Sequence, residues 1–274
     1  MPEDGRGLAG VAETLLIPLY ARAVESQRPD ALLRDEKAVA LVEQANEDLS
    51  RVEALKLDEG DRVTLVLRNR EFDRKTRQFM AEHPEAAVVY IGCGLDARFD
   101  RIDDGRVEWY DLDLPEVIAL RTEYVGGEGP RHHLLASSAF DTGWLDIVAR
   151  GPQPVLFIAE GVLMYFQEEQ VRSLVLSLLE RFPGSELVFD AFSPFLVRMN
   201  NRRISRTGIG ASYYWGLKHA ADVETWDARI RLLDEWFPFS HPEPRLAQYR
   251  WVRYVPPLAK VMGIFHYRLG ETRS

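Results

Sequence analysis

The sequence predicts an α/β fold in which a doubly wound, mostly parallel sheet of seven strands follows a helical N-terminal region. Two observations support this prediction. From residue 87 onward, short β-rich runs alternate with helical segments, and the central runs are continuously apolar, as in strands whose two faces are both covered by helices. One apolar run also ends in Gly92-Cys93-Gly94, a turn suited to joining a buried strand to a helix.

The first third of the chain is predicted to be helical. Apolar residues recur at helical spacing over 10–26, and residues 35–46 and 61–82 are rich in Ala, Leu, Arg and Glu, which favour helices. No Gly/Ser-rich linker separates this region from the first strand, and such a linker would be needed for independent movement. We therefore expect a single domain over 1–274, with a helical cap over 1–84.

The core is predicted to span residues 85–192, with five strands and three helices in alternation. This pattern is typical of parallel strands joined by helical crossovers. The strands are expected at 87–92, 107–111, 131–136, 154–160 and 185–192, and the helices at 115–125, 141–149 and 167–182.

The residues after the fifth strand are predicted to form a helical lid insertion over 193–230. They carry several arginines and the aromatic cluster Tyr213-Tyr214-Trp215. An insertion at the carboxyl end of a strand is placed to cover a ligand crevice. The remaining segment, 231–274, is expected to add two strands, at 231–236 and 264–269.

Composition limits the classes of function. The 274 residues are 46% hydrophobic and 28% charged, which suits a chain with a sizeable buried core. The formal net charge of -9 gives no general attraction to nucleic-acid phosphates or anionic membranes. No uninterrupted apolar segment is long enough to span a bilayer, and the N-terminus lacks the features of a signal peptide. We expect a cytoplasmic protein that binds neither nucleic acid nor membrane.

The single cysteine, Cys93, narrows the chemistry further. One cysteine cannot form an internal disulfide or a cysteine-rich zinc site, and a reducing compartment is its natural environment. Its position in a glycine turn favours a small packing residue over a nucleophile. We expect no metal, and the sequence does not determine the oligomeric state.

The glycine turn and the strand that follows it point to an adenosine-containing cofactor. Gly92, Gly94 and Ala97 loosely match the dinucleotide fingerprint, in which glycines let the backbone approach the ligand closely. About twenty residues later the next strand ends in Asp111-Leu112-Asp113, which places a carboxylate where a ribose would lie. Asp113 also precedes Pro115, so capping the next helix is a compatible second role.

Four ordered phrases resemble the leucine carboxyl methyltransferase and polyketide O-methyltransferase family of S-adenosylmethionine-dependent methyltransferases. They are Arg68-Asn69-Arg70-Glu71-Phe72-Asp73, Gly92-Cys93-Gly94-Leu95-Asp96-Ala97-Arg98, Tyr110-Asp111-Leu112-Asp113-Leu114-Pro115 and Ala159-Glu160-Gly161-Val162-Leu163-Met164-Tyr165. The resemblance implies a Rossmann-like fold, S-adenosyl-L-methionine as methyl donor and S-adenosyl-L-homocysteine as product.

The resemblance also implies roles for particular residues. Arg68 would bind the carboxylate of the cofactor, for which a guanidinium fork is well shaped. Gly92 and Gly94 would let the backbone approach the cofactor, and Asp113 would accept hydrogen bonds from its ribose hydroxyls. Glu160 would face the ammonium group; because it ends a very apolar run, its carboxylate requires a partner in any case.

One stretch departs from the family pattern. Where the better-known carboxyl methyltransferases carry an Asp-Leu pair that contacts the adenine, this sequence has Ser138 and Phe140. The serine hydroxyl could bond the adenine edge, and the phenylalanine could pack on the ring.

The reaction class follows from the resemblance, and the acceptor remains open between two groups. Methyl transfer from a sulfonium is an in-line displacement that depends on positioning in a dry pocket. A carboxylate acceptor is already ionised, whereas a hydroxyl requires a general base, and no His-Asp spacing indicates one. We expect an O-methyltransferase acting on a carboxylate or hydroxyl of a small, polyketide-like secondary metabolite.

The acceptor site is expected between the helical cap and the lid. Basic and aromatic residues of the lid suit an anionic, ring-bearing acceptor; they are Arg198, Arg202, Arg203, Tyr213, Tyr214 and Trp215. Tyr165 follows Glu160 closely, and it either reaches the pocket or packs in the core.

Two other functions are compatible with part of this pattern. An NAD-dependent oxidoreductase would use the glycine turn and Asp113 equally well, but it leaves Arg68 and Glu160 unexplained. A non-catalytic S-adenosylmethionine-binding protein would bind the cofactor without transferring its methyl group.

Overall fold

In the N-terminal part of the chain that the computed structural model describes, three helices form a group. The structure describes residues 13–44, 57–204, 212–240 and 242–271. The helices are α1 (Glu13–Ser26), α2 (Glu36–Gln44) and α3 (Glu59–Glu82). Leu16 and Leu19 on α1 are buried, and α1 packs against both α2 and α3. The buried face of α1 lies against the end of the sheet that carries the glycine turn, where Leu15 approaches Gly94.

Seven strands form one mixed sheet. They are β1 (Ala87–Ile91), β2 (Glu108–Asp113), β3 (His132–Ala136), β4 (Val155–Ala159), β5 (Ser185–Phe192), β6 (Ile230–Trp236) and β7 (Met262–Leu269). Their order is β3-β2-β1-β4-β5-β7-β6. The first five are parallel, and β7 runs antiparallel between β5 and β6. The predicted α/β fold is confirmed.

The other helices flank the sheet or follow its fifth strand. They are α4 (Arg98–Ile102), α5 (Pro115–Tyr124), α6 (Gly143–Val148), α7 (Glu168–Arg181), α8 (Pro194–Ile204), α9 (Ala221–Glu224) and α10 (Pro256–Ala259). Short 3-10 segments span Leu163–Tyr165, Pro238–Ser240 and Pro244–Tyr254. Helix α4 was not predicted, because five residues are too few to show a helical period.

Hydrophobic layers cover both faces of the sheet. Val89 and Phe157 point into a layer shared with α7, whereas Val88 and Leu156 point into a layer shared with α3. Because successive strand residues face opposite sides, strands covered on both sides are apolar at every position, as β1 and β4 are.

The strand order reverses at β1. β2 and β3 lie on one side of β1, while β4 and β5 lie on the other. At such a switch point the helical crossovers leave in opposite directions, which opens a crevice at the carboxyl ends of the strands. The glycine turn after β1 and Glu160 after β4 therefore lie at the same edge of the sheet.

The predicted lid region continues from β5 into α8 and then into residues 212–230. Residues 205–211, including Arg206, lie outside the described residues. Among the helices that the structure describes, none combines the length and hydropathy needed to cross a membrane.

Candidate active site

The glycine turn is held tightly between β2, the cap and the segment after β4. Gly92 and Gly94 have φ of 68° and 51°, values that L side chains rarely adopt. A Cβ at Gly92 would lie 2.7 Å from Val162, and one at Gly94 would lie 2.9 Å from Leu15. The Gly92 N–H donates to the carbonyl of Leu112 at 2.7 Å. Only glycine fits these two positions.

Asp113 lies at the end of β2, directly beside this turn. Its carboxylate accepts hydrogen bonds from the backbone N–H groups of Gly94 and Leu114, each at 2.8 Å. Burial raises the pKa of Asp113, and these two N–H groups only partly oppose it. Each carboxylate oxygen keeps lone pairs for further donors, and the contact of Asp113 with a ribose stays a prediction.

Arg68 and Glu160 contact each other, so Glu160 has the partner that its position after an apolar run requires. The Arg68 Nε atom lies 2.9 Å from Glu160 Oε1, and its Nη1 lies 3.0 Å from Asp190 Oδ2. Glu160 also accepts from Asn69 Nδ2 at 2.6 Å and from Arg98 Nη2 at 2.5 Å. The buried carboxylate therefore has the partners that a charge in an apolar environment needs.

Asp190 and Gly161 fix Arg68 from the other side. Asp190 ends the apolar part of β5 and accepts the Gly161 N–H at 2.6 Å. Burial raises the pKa of Asp190, although Arg68 opposes this shift. Gly161 has φ of 69°, and a Cβ there would lie 3.3 Å from Arg68 Nη2. The turn after β4 thus leaves room for the guanidinium.

The contacts extend into a larger set of charges that we call the buried ionic network. Five carboxylates and four guanidinium groups are linked in it, which gives a formal charge of -1. Its members are Asp35, Asp73, Asp96, Glu160, Asp190, Arg22, Arg68, Arg98 and Arg101. The network joins the cap, α3, α4 and the ends of β4 and β5, and its net charge suits a cation.

Asp96 links the cap to this network. Arg101 Nη1 lies 3.0 Å from Asp96 Oδ1, and Arg22 on α1 lies 3.8 Å from the same oxygen. Burial alone would raise the pKa of Asp96, but Arg101, Arg22 and Arg98 outweigh it and lower that pKa below its usual range. Asp96 is therefore ionised at neutral pH.

Arg121, a buried arginine outside this network, supports the glycine turn. Arg121 donates to the carbonyls of Gly94 and Asp96 at 3.0 and 2.7 Å. The Nη2 atom of Arg121 lies 2.5 Å from Asp111 Oδ2. The turn is thus fixed by charge-assisted bonds as well as by packing.

These elements enclose one pocket. Charged and apolar side chains both line it: Arg68, Asp96 and Glu160, and Leu15, Leu65 and Phe192. Tyr165 and Tyr213 also line it, and the Tyr213 ring contacts those of Tyr165 and Phe192. We call the paired side chains of Arg68 and Glu160 the charged end of the pocket and these three rings its aromatic end.

The two pocket tyrosines form a pair. Their ring centroids lie 5.1 Å apart, with the ring planes tilted by 32°. Burial, with the neighbouring Tyr213, raises the pKa of Tyr165 well above its usual range. Tyr165 is a protonated hydrogen-bond donor at neutral pH, and it reaches the pocket rather than packing only in the core.

The family is shown by comparison with known proteins. The model of the leucine carboxyl methyltransferase family matches residues 16–178. Over 237 residues the chain is 32% identical to the tetracenomycin polyketide synthesis O-methyltransferase TcmP of Streptomyces glaucescens, covering 86% of each chain. The chain belongs to the leucine carboxyl methyltransferase family.

Further relatives agree with this family. The S-adenosyl-L-methionine-dependent methyltransferase dpfgK of Gibberella zeae is 29% identical over 264 residues, covering 89% of this chain and 88% of that one. A DUF574 family protein of Streptomyces avermitilis has the same fold, with a TM-score of 0.61 at 15% identity over 94% of this chain and 97% of that one. This member of the leucine carboxyl methyltransferase family is an S-adenosylmethionine-dependent methyltransferase, so the predicted cofactor and reaction class are confirmed and the oxidoreductase is not favoured.

The site of this methyltransferase fits its cofactor chemically. S-adenosylmethionine carries a sulfonium, an ammonium and a carboxylate, so its net charge complements the -1 of the buried ionic network. The two glycines provide a cradle that any Cβ would fill. Among the described residues, no group of His, Cys, Asp and Glu side chains is arranged to hold a metal ion.

The residues predicted for the adenine lie apart from this pocket. The Phe140 N–H donates to Ser138 Oγ at 3.3 Å, and the Phe140 ring packs edge-on against Phe166 with centroids 4.7 Å apart. Neither side chain lines the pocket. Their contact with adenine stays a prediction.

Of the predicted acceptor residues, the structure brings Tyr213 into the pocket. Trp215 is 3% exposed and packs in the core against Phe189, which is consistent with an aromatic residue placed by packing. Tyr214, Arg198 and Arg202 are exposed. The side chain of Arg203 lies outside the described residues.

Sequence reasoning missed several residues of the site. Asn69 and Asp73 stand in the same phrase as Arg68, one and five residues later, so their proximity to it was readable. Asp190 follows an apolar run just as Glu160 does, and this was the signal for it. No sequence signal indicated Leu15, because its contact with Gly94 depends on how the cap packs.

Proposed function

We propose that this methyltransferase esterifies a carboxylate of a small aromatic acid of the polyketide type. One observation supports the carboxylate over the hydroxyl. Of the described groups around the pocket, Asp96 and Glu160 are neutralised by arginines, and Tyr165 is held protonated. These groups donate hydrogen bonds or hold charge, but they are poor general bases. An acceptor that is already ionised needs none.

The cofactor is assigned to the charged end of the pocket. Arg68 and Glu160 would hold the carboxylate and the ammonium of its amino acid, and Asp113 would accept from the ribose hydroxyls. Gly92 and Gly94 would let the backbone lie against it. When bound, the cofactor supplies an electrophilic methyl group.

The acceptor is assigned to the aromatic end. The hydroxyls of Tyr165 and Tyr213, which both line the pocket, would donate to an acceptor carboxylate and hold one oxygen toward the methyl group. Phe192 and Leu65 would contact the acceptor ring and exclude water, which leaves the nucleophilic oxygen less solvated. Catalysis then consists of positioning. The name of the relative TcmP supports a polyketide acceptor.

The test uses one probe that offers both acceptor groups. Purified enzyme is incubated with S-adenosylmethionine and hydroxynaphthoic acid, with naphthol and naphthoic acid as single-group probes. We expect a methyl ester, identified by mass and by release of methanol in mild alkali. An alkali-stable methyl ether, or turnover of naphthol alone, would show that the acceptor is a hydroxyl.

A further inference from the structure

A short segment beside the pocket is held by different contacts at its N-terminal and C-terminal ends. We call residues 212–215 the tyrosine wall, because Tyr213 within it lines the pocket and pairs with Tyr165. The Tyr213 ring also meets Phe192, another residue of the pocket lining, edge-on with centroids 5.3 Å apart. The position of the Tyr213 ring therefore sets the shape of the aromatic end.

The C-terminal side of the tyrosine wall is held by backbone bonds and by burial. The N–H groups of Tyr214 and Trp215 both donate to the carbonyl of Met164, at 2.8 and 3.3 Å. The Leu217 N–H donates to the carbonyl of Phe192 at 2.8 Å. Trp215 is buried in the core. This side belongs to the scaffold of the sheet.

Tyr213 itself is held by one side chain of α8. The Tyr213 N–H donates to Asn201 Oδ1 at 2.9 Å, and Asn201 Nδ2 donates to the Tyr213 carbonyl at 2.7 Å. A single primary amide thus satisfies both backbone groups of the residue, as a neighbouring strand would. The amide can do this because it carries a donor and an acceptor side by side.

We propose that Asn201 is a positioning residue for the methyl acceptor, acting through Tyr213. The proposal rests on the assignment of the acceptor to the aromatic end of the pocket. Without the Asn201 amide, Tyr213 loses both backbone partners, and its ring is no longer fixed against that of Tyr165. The cofactor groups Arg68 and Glu160 lie on other elements, so cofactor binding is unaffected.

The first test needs no acceptor. Hydrogen exchange is followed at the amides of the tyrosine wall in wild type, Asn201→Ala and Asn200→Ala. Asn200 is the matched control, because it has the same residue type on the same helix and is likewise half-buried. We expect Asn201→Ala to speed exchange at the Tyr213 amide about tenfold, because its N–H loses the Asn201 acceptor and one lost hydrogen bond has about this effect. The Tyr214 amide, whose partner Met164 is unchanged, is the internal reference. If the Tyr213 amide stays as protected as in wild type, Asn201 does not hold the wall.

The second test separates positioning from folding. With hydroxynaphthoic acid as acceptor, we expect Asn201→Ala to raise the acceptor KM about tenfold, while the Kd of S-adenosylhomocysteine stays within about twofold. In the Tyr213→Phe background the Asn201 effect is expected to shrink, since both changes act on one contact. An acceptor KM equal to that of Asn200→Ala, or an undiminished effect beside Tyr213→Phe, would overturn the proposal. Absence of wild-type turnover on this acid would contradict the proposed function, and the exchange experiment would still decide the role of Asn201.

Discussion

Replacing Glu160 by glutamine is expected to weaken both the fold and cofactor binding. The Glu160 side chain is 2% exposed, and it accepts from Arg68, Asn69 and Arg98 at 2.9, 2.6 and 2.5 Å. Glutamine keeps the size of the side chain but loses the charge and turns one acceptor into a donor. That donor would face a guanidinium, which cannot accept a hydrogen bond.

The magnitude follows from the partners that remain. Breaking a buried ion pair from one side costs about 3–5 kcal/mol. Arg68 keeps Asp190 at 3.0 Å and Arg98 keeps Asp73 at 2.8 Å, so we expect about 3 kcal/mol, the low end of that range. For a chain of this size this lowers Tm by about 6–12 °C. The bond proposed between Glu160 and the cofactor ammonium would be worth about 1.5–3 kcal/mol, so its loss is expected to raise the Kd about 10- to 150-fold.

The assay measures Tm by calorimetry and the Kd of S-adenosylhomocysteine by titration calorimetry. Glu186→Gln is the control, because Glu186 is also buried, lies 2.7 Å from His266 Nε2 and pairs with Arg268 at 2.8 Å, but is at the far end of β5. The control is expected to lower Tm and leave the Kd unchanged. If Glu160→Gln lowers Tm while its Kd stays within about twofold of wild type, Glu160 has a structural role alone. An unchanged Tm would refute the energetic reasoning about the network.

Three further outcomes are expected. Gly161→Ala should lower the free energy of unfolding by about 1–2 kcal/mol and also weaken S-adenosylhomocysteine binding, because its Cβ would lie 3.3 Å from Arg68. The control Gly105→Ala, where φ is 83° and the surrounding space is open, should show the backbone cost alone. Equal binding of S-adenosylhomocysteine by the two variants would contradict this. The lowered pKa of Asp96 adds stability that is present above the unfolded value of about 4 and lost as the pH falls. Urea unfolding from about pH 7 to about pH 3 should therefore show a shallower acid slope for Asp96→Asn than for wild type, and equal slopes would count against this. With a carboxylate acceptor, kcat/KM should be level between about pH 6 and about pH 9, because the acceptor is ionised and the raised pKa of Tyr165 keeps that group neutral; a rising limb of unit slope in that range would indicate a general base.

The sheet, the glycine turn and Glu160 were predictable from the sequence because their signals are local. A strand covered on both faces is apolar at every residue, so β1 and β4 were readable as continuous runs. An acid at the end of such a run must be paired, which identified Glu160. The glycine turn was readable because a left-handed backbone excludes most side chains.

The partners of these groups were decided by the tertiary structure. Glu160 and Arg68 are separated by 92 residues, and nothing in the intervening chain indicates that Arg98 completes the same cluster. Trp215 and Tyr213 are two residues apart, yet one packs in the core and the other lines the pocket. The reason is that composition and periodicity report which face of an element is apolar, whereas the strand order and the packing of the cap determine which distant side chains that element meets.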